Sequence, residues 1–115
     1  MPTVLMFSLP GCAFCERLRA EQLIHLHRDA ARIGVRVVEL SMTDRRPIPG
    51  TEPPESPAAM ARRLGVRLAP SVLFVSNERE IAPRLEGYGS PDFYGAYLDE
   101  RTAQARQAIA EHVRR

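Results

Sequence analysis

Ser8-Leu9-Pro10-Gly11-Cys12-Ala13-Phe14-Cys15-Glu16 holds the only two cysteines of a 115-residue chain. A compact apolar run, Val4-Leu5-Met6-Phe7, comes immediately before it, and a long helical pattern comes immediately after. A strand that delivers Cys-x-x-Cys onto the first turn of a helix makes a thiol reactive. The unpaired backbone N–H groups and the positive end of the helix dipole stabilise Cys12 as a thiolate. Cys15 follows three residues later on the same helix face, one turn deeper. That spacing makes Cys12 the attacking thiol and Cys15 the resolving one.

Two structural readings compete with redox chemistry. A zinc ribbon needs four ligands, and the chain has no second Cys-x-x-Cys. His25 and His27 stand at i,i+2, where side chains on one helix do not converge, and neither has the spacing of a zinc-finger pair. A purely structural disulfide across so short a loop would constrain the unfolded chain little. The strand-to-helix context favours redox chemistry.

Working outward, the whole length, 1–115, reads as one domain with a true core. At 44% hydrophobic and 26% charged residues, its composition is that of a globular protein. A net charge of +2 is too small to argue for nucleic acid, and the arginines are dispersed rather than blocked. The longest apolar runs are of strand length, so no membrane insertion is expected. Met1-Pro2-Thr3-Val4 leads straight into the first strand without a signal segment. The expected compartment is therefore cytoplasmic, unless the chain is a trimmed mature form.

Thr3 to Ser8 reads as a buried strand, closed by Leu9-Pro10-Gly11. A helix from about Cys12 to Ile33 buries Cys15, Leu18, Leu23, Leu26, Ala30 and Ile33 and stops at Gly34. Arg19 intrudes on that stripe, which predicts a bend. Val35 to Leu40 is a second strand, and a helix between two strands suggests a right-handed βαβ unit with parallel strands. The stretch 43–55 carries Pro47, Pro49, Pro53, Pro54 and Gly50, so it is neither helix nor central strand. It reads as a surface excursion: a solvated insertion, a lid or a partner-binding loop. Ser56-Pro57 caps a short helix, with Met60 and Leu64 inward. Ser71 to Val75 and Glu80 to Glu86 form an antiparallel hairpin, and Pro83 marks the second as an edge strand or a bulge. Ser90-Pro91 opens a last helix over about 91–113. Its predicted buried side is Tyr94, Tyr97, Leu98, Ala105, Ala108 and Ile109, with final turns running past the core.

The order β-α-β-α-β-β-α, with Cys12 and Cys15 at the first helix, Pro70 directly before the third strand and Gly87 after the fourth, resembles a thioredoxin-fold protein. The resemblance covers nearly the whole chain and implies an α/β architecture: a central four-stranded mixed sheet flanked by helices. At finer grain, Leu5 to Cys15, Ala69 to Phe74 and Leu85 to Tyr88 resemble the small thioredoxin-like proteins encoded with bacterial sulfur-oxidation (Sox) genes. That group is periplasmic and exchanges disulfides with Sox components. The resemblance implies a cis bond before Pro70, which would turn the backbone of Ala69 towards the sulfurs to pair with an extended substrate. It also implies a glycine at 87 that lets the substrate chain approach. Phe14, Tyr88 and Leu9 are expected to form an apolar rim, with a place in the core as the alternative for Phe14 and, more evenly balanced, for Tyr88.

Several features depart from the family. Ala13-Phe14 lies between the cysteines, so no histidine within the motif stabilises the Cys12 thiolate, which argues against a strong oxidant. The first strand carries no carboxylate to take the proton of the resolving thiol; Glu16, adjacent to Cys15, reads as a surface charge of the first turn, with substitution through water as the alternative. Tryptophan is absent. The expectation is a thiol–disulfide oxidoreductase that reduces protein disulfides, needs no cofactor beyond Cys12–Cys15, and is recharged by a separate electron-donor protein. The alternatives are a disulfide-donating oxidase or isomerase, and a binding module that holds a soft metal such as Cu(I) between the two thiols.

Overall fold

The computed structural model describes residues 1–114. Strand β1 (Thr3–Ser8) enters helix α1 (Ala13–Leu18), which passes through a π-helical turn over Arg19–Leu23 into α2 (Ile24–Ile33). Then come β2 (Arg36–Ser41), α3 (Pro57–Arg63), β3 (Ser71–Ser76), β4 (Arg79–Glu86) and α4 (Pro91–Arg114). The sheet order is β2-β1-β3-β4. β1 runs parallel to β2 and antiparallel to β3, and β3 and β4 form the hairpin.

The unbroken apolar run of β1 follows from its central place, with both faces covered. Val4 and Met6 pack with Cys15, Leu18, Val72 and Phe74 on the side of α1, α2 and α4. Leu5 and Phe7 pack with Leu73 and Ala61 on the side of α3. Both layers close just beneath the cysteines, because β1 ends where the Cys-x-x-Cys loop begins.

The predicted single helix is instead two α-helices joined by a π turn, and the extra residue explains Arg19. One residue inserted into the helical repeat rephases the stripe, so Cys15 and Leu18 above the turn and Leu23 and Leu26 below it all reach the core. Arg19, thereby freed from the stripe, reaches sideways to Glu39 on β2 with Nε–Oε1 at 2.8 Å. Gly34 ends α2 in the left-handed region at φ +89°, its N–H donating to Ala30 O at 2.8 Å.

Pro83 does lie on the sheet edge, at a bulge. Between the pairs Val72↔Leu85 and Phe74↔Ala82, the two residues Pro83 and Arg84 stand against Leu73 alone. Ser56 caps α3 as expected, accepting from Ala59 N–H at 3.1 Å. The excursion before it folds back on itself: Ile48 N–H donates to Glu55 O at 2.9 Å, and Arg63 holds the Glu55 carboxylate at 2.7 and 2.9 Å.

Helix α4 corrects one expected core residue. Tyr97 is 49% exposed, its ring lying under the Arg101 guanidinium at 5.8 Å. Thr102 takes the inward position instead and satisfies its hydroxyl on Leu98 O at 2.7 Å. Ala108 and Ile109 are half-buried, and Glu111 to Arg114 are exposed.

Candidate functional site

The site forms where β1, the first turn of α1, the start of β3 and the end of β4 meet. Leu9-Pro10-Gly11 turns the chain out of β1, with Gly11 in the left-handed region at φ +68°. Cys12 then caps α1 in an extended conformation, φ −88° and ψ 106°. Its sulfur accepts the Cys15 N–H at 3.2 Å, and its carbonyl accepts the Glu16 N–H at 3.1 Å. Cys12 and Cys15 are joined as a disulfide with Cα atoms 5.2 Å apart. Cys15 is 1% exposed within the core, whereas Cys12 is partly exposed at its edge.

Pro70 is fully buried, and the Ala69–Pro70 bond is cis. The Pro70 carbonyl accepts from Gly87 N–H at 2.7 Å, and the Leu68 carbonyl accepts from Ser71 Oγ at 2.5 Å. Between them, neither the N–H nor the C=O of Ala69 has a hydrogen-bond partner among the described residues. Gly87 adopts φ +80°, a region an L side chain enters only at a cost. Phe14 (53%) and Leu9 (40%) are exposed.

Tyr88 does not belong to that rim. It is 3% exposed, packs edge-to-face on Tyr94 with centroids 4.9 Å apart, and donates from its hydroxyl to Glu21 Oε1 at 2.8 Å. The Tyr88 hydroxyl oxygen in turn accepts from Gln22 Nε2 at 3.3 Å. Burial pushes the Tyr88 hydroxyl above its ordinary pKa, assisted by its bond to Glu21. The residue after Gly87 is therefore a core anchor that ties the β4–α4 connection to the first helix. Tyr94 is raised further by burial of its hydroxyl, which has no hydrogen-bond partner among the described residues.

Glu16 is exposed on the first turn. The carboxylate facing the strand layer is Glu39, the cross-strand partner of Met6. It accepts from Ser8 Oγ at 3.0 Å and from Arg19, and the Arg19 guanidinium holds it below the usual carboxylate range. Nothing in the spacing of Glu39 along the chain announces this; the β1–β2 register does. Leu68 was also missed. Its side chain is 47% exposed, and a Cβ placed on Gly87 would lie 3.5 Å from its Cδ2. Its only sequence signal is its place two residues before Pro70. His25 and His27 are both exposed on α2. Among the described residues, no group of three His, Cys, Asp or Glu side chains converges as a metal site would require.

A helix-capping Cys-x-x-Cys disulfide, its first cysteine partly exposed and its second buried, on this sheet order defines a thiol–disulfide oxidoreductase. The chain belongs to the thioredoxin-like domain family, whose model matches residues 1–102. Among solved structures, it is similar to the periplasmic thioredoxin SoxS of Paracoccus pantotrophus in its reduced form. The two are 28% identical over 91% of this chain and 99% of that one, with a TM-score of 0.62. Fasciola hepatica thioredoxin shares the fold at 15% identity, TM-score 0.64, over 90% of this chain and 80% of that one. So does the Drosophila melanogaster germline thioredoxin Deadhead, at 15% identity and TM-score 0.63, over 86% and 79%. Comparison with curated protein sequences returned no match.

Proposed function

We propose that the protein reduces disulfides of protein substrates, with Cys12 attacking and Cys15 resolving. The observation that carries the reading is the unequal exposure of the two sulfurs' residues: Cys15 is buried, and Cys12 meets solvent at the helix start. A substrate sulfur can reach only the outer one. In the dithiol form, the Cys12 thiolate attacks one sulfur of the substrate disulfide. A Cys12–substrate bond forms, the substrate S–S bond breaks, and the departing sulfur takes up a proton. The deprotonated Cys15 then attacks the Cys12 sulfur, the Cys12–Cys15 bond re-forms, and the second substrate sulfur leaves. Two electrons pass to the substrate, and a separate dithiol protein must restore them.

The unpaired N–H and C=O of Ala69 support docking of the substrate as an added strand, and Phe14 and Leu9 support an apolar rim. Ala13-Phe14 between the cysteines supports a reductant, because no motif histidine is present to favour the thiolate of a strong oxidant. Likeness to the periplasmic SoxS supports the periplasm as the place of work.

Two measurements test the reading. Reduced Cys15→Ser, mixed with a disulfide-bonded protein, accumulates a covalent adduct through Cys12 that dithiothreitol releases, and Cys12→Ser accumulates none. An adduct on Cys12→Ser would reverse the two roles. Equilibrated against glutathione, the pair settles near the thioredoxin level of about −270 mV; a value near about −120 mV would make the protein a disulfide donor.

A further inference from the structure

We infer that Tyr88 is a positioning residue for polypeptide substrates. Its ring, enclosed between the first helix and α4, fixes Gly87 against Pro70 and so holds the Ala69 backbone that a substrate pairs with. The inference rests on the strand docking proposed above and adds what keeps that strip of backbone in place.

The path from Tyr88 to Ala69 is short. Tyr88 follows Gly87, the Gly87 N–H donates to the Pro70 carbonyl at 2.7 Å, and Pro70 follows Ala69. Gly87 has no side chain to anchor it, and glycine has the widest backbone freedom of any residue. Its restraint must come from its neighbours. From Pro83 to Phe93, Tyr88 is the only buried residue. It belongs to the same core cluster as Cys15, with Cys12 and Ala69 packed against that cluster.

Three features that regular helices and cores avoid meet around this ring. The π turn over Arg19–Leu23 is a rare geometry that recurs at functional sites. It carries Glu21 and Gln22, the two partners of the Tyr88 hydroxyl. Gly95 stands inside α4, where glycine is among the least favourable residues, and a Cβ there would meet Gln22 Oε1 at 3.2 Å. The Tyr94 hydroxyl is buried without a hydrogen-bond partner among the described residues, yet its ring backs Tyr88 edge-to-face. A core shaped for stability alone has no use for any of the three, and departures of this kind gather where function sets the geometry. The ring, more than the hydroxyl, sets the position. Glu21 is exposed and Gln22 half-buried, so their bonds compete with water, whereas Tyr94 encloses the ring itself.

The test uses the pre-reduced full chain in single turnover against two disulfides. One is a short peptide closed by an internal disulfide, which can pair with Ala69; the other is hydroxyethyl disulfide, which has no backbone to pair. Tyr88→Leu slows the peptide about fivefold, the equivalent of one hydrogen bond of about 1 kcal/mol, and leaves hydroxyethyl disulfide at the wild-type rate. Tyr88→Phe keeps the ring and matches the wild type on both. Equal slowing of the two disulfides by Tyr88→Leu, or slowing of neither, would overturn the assignment while leaving disulfide reduction intact. If Tyr88→Leu does not fold, amide hydrogen exchange of the wild-type protein decides. The Gly87 N–H is then protected as strongly as the central amides of β3, and a local opening that exposes it far sooner overturns the positioning. A wild-type protein that reduces neither disulfide loses the proposed reaction itself, and the positioning with it.

Discussion

Replacing Gly87 with alanine isolates what the left-handed backbone contributes beside the cis-proline. Gly87 sits at φ +80° with its N–H on the Pro70 carbonyl at 2.7 Å. Holding an L residue in that region costs about 1–2 kcal/mol. The added Cβ lies 3.5 Å from Leu68 Cδ2, an ordinary contact, so no steric overlap enlarges the cost. The expected loss is therefore about 1–2 kcal/mol in a urea titration of the oxidised protein. For a domain of this size, each kcal/mol corresponds to a fall in Tm of about 3–6 °C. Gly11→Ala is the matched control: its φ is +68° and a Cβ there meets nothing within 4 Å. Equal losses mean that strain alone is felt. An excess of about 1 kcal/mol at Gly87 means that the chain relaxes by giving up the bond to Pro70. If Gly87→Ala matched the wild type in stability while Gly11→Ala did not, the left-handed geometry at Gly87 and the bond built on it would be refuted.

The Glu39 clamp predicts a pH effect with a definite sign. Arg19, then Ser8, lowers the Glu39 pKa in the folded state, so its contribution is present above the ordinary 4.5 and fades as pH falls through the lower folded value. Both side chains are partly exposed, 34% for Glu39 and 47% for Arg19, which holds the effect to about 0.5–1 kcal/mol. Glu39→Gln should trail the wild type by that amount at pH 7 and close the gap as pH falls through the lowered folded value, read in urea midpoints; a gap independent of pH would dismiss the clamp. Tyr88→Phe removes a hydroxyl bonded to Glu21 and Gln22 and should lower stability by about 1 kcal/mol. Its rate with peptide disulfides should match the wild type, and a tenfold slower rate would return Tyr88 to the substrate rim.

The chain sequence by itself determined the strands, the caps and the reactive pair, because each is set by residues close together in the chain. The run Val4 to Phe7 can be satisfied only by burial on both faces, and Ser56-Pro57 caps a helix from any surroundings. Cys12 and Cys15 owe their different exposures to three residues of helical spacing. Pro70 and Gly87 were legible through the resemblance rather than through any local rule.

What the tertiary structure decided are the contacts between segments far apart in sequence. Tyr88 and Tyr97 look alike in an apolar pattern, yet one is enclosed by Tyr94, Glu21 and Gln22 and the other lies open beneath Arg101. Arg19 spoils a helical stripe on paper, and a π turn turns it instead towards Glu39. Glu39 meets Ser8 and Arg19 only through the register that sets it beside Met6. Leu68 lies against Gly87 only because the chain leaving β4 returns alongside it. Helical and strand periodicity act over a few residues, so they place each of these side chains on its own element; which groups face them is settled by packing one element against another.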